Sequence, residues 1–254
     1  IRLLSEGPWV RIPAGSPKKN MIILIKILLI LISINSAAFD EKDLRKFLAT
    51  RVCKNCDLTD ADFRKLNLEN SNIQSSNLSG SDFSGTNLNN SKIVYSNITK
   101  CLFYISELKE VNFEGSNLSE SRLNGANLFG ANMSDTTLIG TVFSKSKAQK
   151  IILDGANLKY SKFRGTNLSN SILSGSQLFM TDFSGANLKG SEMNALDLTN
   201  SIFISANLDN IKLNESNVSG MDLAKYKIDE KFFKKNIICN TILPWKKVVK
   251  NCDY

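Results

Sequence analysis

The sequence predicts a solenoid, in which the chain coils with a square cross-section and one residue on each side points at the axis. Every fifth position from Leu58 to Ile228 holds Leu, Phe, Ile, Met or Val, and Ala148 is the single exception. A period of 3.6 would scatter these residues around a helix, and a period of 2 would alternate them across a strand. The repeat of five therefore decides the architecture.

Phenylalanine is concentrated at a longer period of twenty residues. Positions 63 to 223, taken in steps of twenty, hold Phe at seven of nine sites, so four repeats of five make one turn of the coil. We expect these rings to form an inward column. They are Phe63, Phe83, Phe103, Phe143, Phe163, Phe183 and Phe203.

A second regular column of small residues lies two positions before each central apolar site, as at Ser81, Ala126 and Thr166. Because protein interiors pack at crystal-like density, a large side chain inside a narrow coil leaves room only for a small neighbour. Asn or Asp follows the small residue, as at Asn127, and Gly often comes two residues after the centre, as at Gly125. These residue types favour a turn at each corner.

The segments 125–128, 155–158 and 185–188 all read Gly-Ala-Asn-Leu. They closely resemble the A(D/N)LXX unit of the pentapeptide-repeat family, and the resemblance covers about residues 56–230. It implies an all-β fold, a right-handed quadrilateral parallel β-helix in which each coil consists of four short strands and four turns.

Both flanks of the repeats add to this resemblance. Residues 47–58 look like the LLxTxxCxxCDLSGA start of exported bacterial members, and residues 239–244 resemble their CNTxxP end. We expect residues 39–56 to form an N-terminal cap with a short amphipathic helix over 41–50, since a solenoid must cover its terminal strands. The β-helix is then predicted over 57–230, followed by a basic C-terminal tail or cap over 231–254.

The segment 21–38 predicts export. Its apolar run from Met21 is too short for a comfortable membrane span and ends in Ser36-Ala37-Ala38, which matches a signal-peptide cleavage site. We interpret residues 1–20 as an upstream extension. The expected location is therefore periplasmic or secreted, and an uncleaved segment would instead be a membrane anchor.

Export changes how the five cysteines are interpreted, because an oxidising compartment favours disulfides. We expect structural disulfides between Cys53 and Cys56 and between Cys239 and Cys252, and a buried free thiol at Cys101. A redox role for Cys53 and Cys56 stays open as the alternative. No metal site is expected, since the chain has no His and a zinc site requires four ligands.

Charge and composition exclude several functions. The net charge is +8, but the basic excess lies at the two ends, and residues 57–230 are nearly neutral. Some family members imitate DNA to protect a topoisomerase, which requires a strongly negative surface, so this function and nucleic-acid binding are disfavoured. Without His a Ser-His triad is impossible, and we expect neither an enzyme nor a cofactor.

One surface cluster stands out at the outward positions of successive coils: Ile139, Tyr160, Phe179 and Met180. Contiguous exposed apolar area often marks an interface. The sequence thus predicts a non-enzymatic exported rod that presents a rigid surface for protein–protein interaction or envelope scaffolding. The partner is an unidentified protein, with a homodimer as one possibility; the alternatives are a DNA-mimic topoisomerase-interacting protein and a thiol-disulfide redox protein.

Overall fold

A right-handed quadrilateral parallel β-helix, preceded by one α-helix, forms the fold in the computed structural model, which describes residues 39–232 and 235–245. The predicted extension and signal segment, residues 1–38, lie outside the described residues. Within the described part, no helix is both long enough and apolar enough to cross a membrane.

Helix α1, Glu41–Thr50, covers the first coil over the range that the sequence predicts. Asp40 caps its N-terminus by accepting hydrogen bonds from the backbone N–H groups of Lys42 and Asp43. Phe47 is fully buried on its inner face, and its ring lies 5.7 Å from the Phe63 ring in an edge-to-face arrangement. The helix therefore closes the end of the solenoid with an aromatic contact.

The coils stack through parallel pairing of residues twenty positions apart. Strands β1 (Val52–Lys54), β2 (Asn72–Gln74) and β3 (Lys92–Val94) form a parallel sheet in the order β1-β2-β3. On the other sides, and on this side after β3, the pairing consists of isolated parallel bridges, such as Asn77 with Asn97. We number the four sides by their first central residues: Leu58, Phe63, Leu68 and Ile73.

Each side repeats one backbone pattern, shown here at Phe163. Its N–H donates to the carbonyl of Asp182 in the next coil at 2.7 Å, and the Gly165 N–H donates to the Ser184 carbonyl at 2.9 Å. The small column adds side-chain bonds: the Thr166 hydroxyl donates to the Phe143 carbonyl of the preceding coil at 2.7 Å. Many buried Ser and Thr hydroxyls of this column bond backbone carbonyls in this way, whereas those of Ser146, Ser161, Ser171 and Ser191 have no hydrogen-bond partner among the described residues.

The predicted phenylalanine column is inward. Six of its members are fully buried, and the rings of Phe143 and Phe163 stack at 4.5 Å. Phe203 is the exception, because it is only partly buried although it packs against the core. The backbone ladder above it is interrupted, which opens that side of its ring.

The coil is longer than the predicted range of 57–230. It starts at Val52, where Cys53 occupies a central position and pairs with Ile73. A 3-10 helix, Glu230–Phe232, interrupts it, and the coil then resumes, with Ile237 paired to Asn217 and Ile242 to Asp222. The period of five survives the interruption, so part of the segment assigned to the tail forms the last described coil.

Candidate protein-binding surface

The four residues of the predicted cluster all lie on the outside of the first side, and we call them the apolar patch. The exposed fractions of Ile139, Tyr160, Phe179 and Met180 are 37%, 49%, 43% and 54%. The rings of Tyr160 and Phe179 meet edge-to-face with their centroids 5.6 Å apart. Two coils thus present one continuous aromatic surface.

Two patch residues hold a backbone conformation that large side chains seldom adopt. Tyr160 has a φ of 61° and Met180 a φ of 54°, in the left-handed region. Gly, Asn or Asp fills most equivalent corners, because a side chain with Cβ is strained there. Other corners of the coil hold Lys, Glu or Ile in the same conformation, so this backbone cost, on the order of 1 kcal/mol, does not by itself distinguish the patch.

The charged side chains beside the patch are partly paired. Lys159 lies between Ile139 and Phe179 in the same column of outward positions. On the neighbouring second side, Arg164 forms an ion pair and hydrogen bond with the largely buried carboxylate of Asp182. Burial raises the pKa of Asp182, but hydrogen bonds from Ser184 and Arg164 outweigh it and lower the pKa overall. The patch therefore borders a fixed, ionised pair.

The backbone ladder is open directly above the patch. The N–H groups of Leu178 and Met180 donate to no backbone carbonyl, whereas Leu158 and Tyr160 one coil earlier donate at 2.9 Å each. A cavity of about 200 Å³ lies here, lined partly by Lys159, Phe179 and Asn200. Backbone donors are therefore available next to exposed aromatic rings.

The first coil is closed by the predicted disulfide between Cys53 and Cys56, whose Cα atoms lie 5.8 Å apart. Both cysteines are buried, with exposed fractions of 1% and 4%.

Cys101 is free and buried, as predicted, and burial raises the pKa of its thiol to about 12. Cys239 is disulfide-bonded, and its predicted partner Cys252 lies outside the described residues. Among the described side chains, no group of three potential ligands could hold a metal.

We expect iodoacetamide to leave Cys101 unmodified in the native protein at pH 8 and to modify it fully after denaturation without reductant. The reason is that a buried thiol with a raised pKa is almost never a thiolate at that pH. Peptide mass mapping under non-reducing conditions should also recover the Cys53–Cys56 linkage. Modification of native Cys101, or its recovery in a disulfide, would contradict this assignment.

A second set of exposed apolar residues escaped the sequence prediction. Ile202 and Ile204 have exposed fractions of 40% and 69%, and they flank the partly buried Phe203. After residue 190, four large residues interrupt the small column, and three of them lie next to these isoleucines. This signal in the sequence could have identified the exposed pair. Those three residues are Leu196, Met221 and Tyr226.

Comparison with known proteins decides the family. A pentapeptide repeat region matches residues 52–123, and eight-copy pentapeptide repeats match 106–144, 138–175, 151–190 and 181–220. The chain belongs to the pentapeptide-repeat family. The matches together span the β-helix from its first strand into the coil that contains Gly220.

One solved pentapeptide-repeat structure shares the fold at low identity, and a second is reported beside it. HetL from the cyanobacterium Nostoc sp. strain PCC 7120, a protein involved in heterocyst differentiation regulation, is 18% identical with a TM-score of 0.56, covering 81% of this chain and 97% of HetL. Trypsin-treated QnrB1, a plasmid-mediated fluoroquinolone resistance protein, is 16% identical with a TM-score of 0.46, covering 74% of this chain and 89% of its own. No curated protein sequence matches the chain.

Proposed function

We propose that this pentapeptide-repeat protein is an exported, non-enzymatic interaction protein that binds a protein partner through the apolar patch. The observation that carries the proposal is the exposed Tyr160–Phe179 ring pair, held on a rigid coil. Aromatic anchors usually supply most of the binding energy of an interface. The ladder bonds from Leu158 and Tyr160 to the coil of Phe179 hold the two rings in place. A surface held in this way loses little conformational entropy on docking, so a modest patch can support binding.

A redox function is less well supported, because both sulfur atoms of the Cys53–Cys56 pair are buried in the first coil. Thiol-disulfide exchange requires a nucleophile to reach one sulfur. The disulfide instead joins the central position of one side to the small column of the next. It supports a structural role at the capped end of the β-helix.

We expect the double variant Tyr160→Ser with Phe179→Ser to lower partner binding or self-association by tenfold or more. The free energy of unfolding should change by no more than about 1 kcal/mol, because both side chains are substantially exposed. Sedimentation velocity measures self-association, and pull-down from envelope extract measures capture. Thermal unfolding measures the stability of both proteins.

Phe129→Ser provides a matched control. Phe129 has an exposed fraction of 38%, occupies the equivalent outward position on the third side, and lies under the ammonium group of Lys150 at 5.5 Å. This variant removes one exposed ring, comparable to either ring of the patch, from a different face and should leave association unchanged. Equal losses in both variants, or association unaffected by the double variant, would exclude the apolar patch as the binding surface.

Export is tested by expressing the chain from Met21 in a Gram-negative host. We expect a periplasmic product whose N-terminus lies near Phe39, because cleavage after Ala38 follows the small-residue rule. N-terminal sequencing of the periplasmic and membrane fractions gives the result. A mature protein that retains Lys26 in the membrane fraction would show an anchor instead.

A further inference from the structure

The parallel ladder is interrupted on the second side, between the coil of Phe203 and the coil of Leu223. One coil earlier the pattern is regular, since Phe183 and Gly185 donate to the carbonyls of Ile202 and Ile204 at 2.7 and 2.8 Å. The equivalent N–H groups of Phe203 and Ser205 donate to no described group. Two adjacent strands therefore face each other without hydrogen bonds.

Two oversized side chains explain this gap. Met221 and Tyr226 occupy successive positions of the inward column, where most coils hold Ser, Ala or Thr. The coil is too narrow for a large residue in both columns at a corner, so the two coils separate. The disturbance continues onto the third side, where the Asn210 N–H donates to the Lys227 carbonyl instead of that of Asp229.

The separation creates a groove of about 550 Å³, within the size range of ligand-binding sites. Asp222 and Lys225 place charges at its edge. Its apolar lining residues are Leu198, Phe203, Ile204, Leu208, Met221 and Tyr226.

The walls of the groove also carry unpaired backbone groups of both kinds. The N–H groups of Phe203, Ser205 and Asp222 have no described acceptor. The carbonyls of Ser201, Asp222 and Ala224 accept no described hydrogen bond. These residues are exposed or only partly buried, so water can reach their backbone groups in the free chain. A ligand that supplies alternating donors and acceptors can replace that water with direct hydrogen bonds.

We propose that this groove binds an extended peptide segment of a partner protein, which adds as a strand beside Ser201–Ser205 or beside Asp222–Ala224. Only an extended polypeptide combines alternating N–H and C=O groups with side chains that point alternately inward and outward. Lipid chains lack the hydrogen-bonding groups, and sugars lack the apolar surface. Alternate residues of the peptide would be apolar, to pack on Phe203 and Tyr226, while the others face water.

A phage-displayed heptapeptide library, selected on the full chain, provides the probe. We expect enrichment of sequences with alternating apolar residues. A synthetic heptapeptide of an enriched sequence should bind the full chain at least tenfold more tightly than it binds the Ile204→Asp variant. Ile204 is largely exposed, so this variant should fold normally while placing a charge at the mouth of the groove. The double variant Met221→Ser with Tyr226→Ser restores small residues and should also lose binding.

Amide hydrogen exchange locates the bound peptide. The N–H groups of Phe203, Ser205 and Asp222 should exchange rapidly in the free chain and at least tenfold more slowly with the heptapeptide. The Tyr160→Ser with Phe179→Ser variant should bind the heptapeptide like wild type, which separates this proposal from the apolar patch. The proposal would be overturned if selection yielded no peptide whose binding depends on Ile204. It would also be overturned if all three amides exchanged slowly without peptide, because the chain itself would then fill or close the groove.

Discussion

Replacing Phe163 by Ala is expected to lower the free energy of unfolding by about 3–5 kcal/mol, as for other buried aromatic truncations. Phe163 is fully buried, and its ring stacks between those of Phe143 and Phe183 at 4.5 and 5.2 Å. Truncation removes both ring contacts, each worth about 0.5–1.5 kcal/mol beyond the buried area. The neighbouring coils are held by their own ladders, so they cannot collapse into the cavity.

Ser169→Ala is the control, because Ser169 lies at an outward corner one side away and its hydroxyl makes no described hydrogen bond. Its expected cost is under about 0.5 kcal/mol. Urea unfolding followed by circular dichroism measures both variants. Because repeat proteins can unfold in parts, hydrogen exchange of amides near residue 163 should accompany the global value. Small and equal effects would show that position 163 does not point at the axis.

The period of five predicted the coil well because it arises from a local packing rule that every repeat obeys. Each large central residue needs a small neighbour and a corner, and all three appear within five residues of sequence. The predicted helix at Glu41–Thr50 also agrees with the structure, since Asp40 provides a cap and Phe47 an inner face. The ends were harder to predict, because Cys53 and Leu243 occupy central positions outside the apparent run of repeats.

The patch could be predicted from sequence because its residues on successive coils lie nineteen to twenty-one positions apart. The groove could not, because its existence depends on which side of the coil carries a large inward residue. Val111, Ile151 and Ile211 lie in the small column of the fourth side, and the ladder there remains intact. Leu196, Met221 and Tyr226 lie on the other three sides, and each coincides with missing ladder bonds. A sequence alone does not distinguish these corners.

Ala156→Leu tests this rule and is expected to open the ladder between two regular coils. Ala156 lies in the small column of the first side, between Thr136 and Ser176, and is fully buried. The added volume should break the bonds from Leu138 to Asn157 and from Gly140 to Lys159, now 2.8 and 3.0 Å long. Overpacking costs about 1–3 kcal/mol, and each lost hydrogen bond adds about 1 kcal/mol.

Hydrogen exchange of the Leu138 and Gly140 amides, together with urea unfolding, measures the outcome. Ala156→Ser is the matched control, because Ser occupies this column at positions 116 and 176, and it should leave both amides protected. The reverse change, Leu196→Ala, should restore protection to Leu178 and Met180, whose donors are unpaired in the native chain. If the Ala156→Leu variant kept both amides protected, the corner would tolerate bulk, and the open ladder at Leu196 would require a different cause. The same result would remove size as the explanation for the groove beside Met221 and Tyr226.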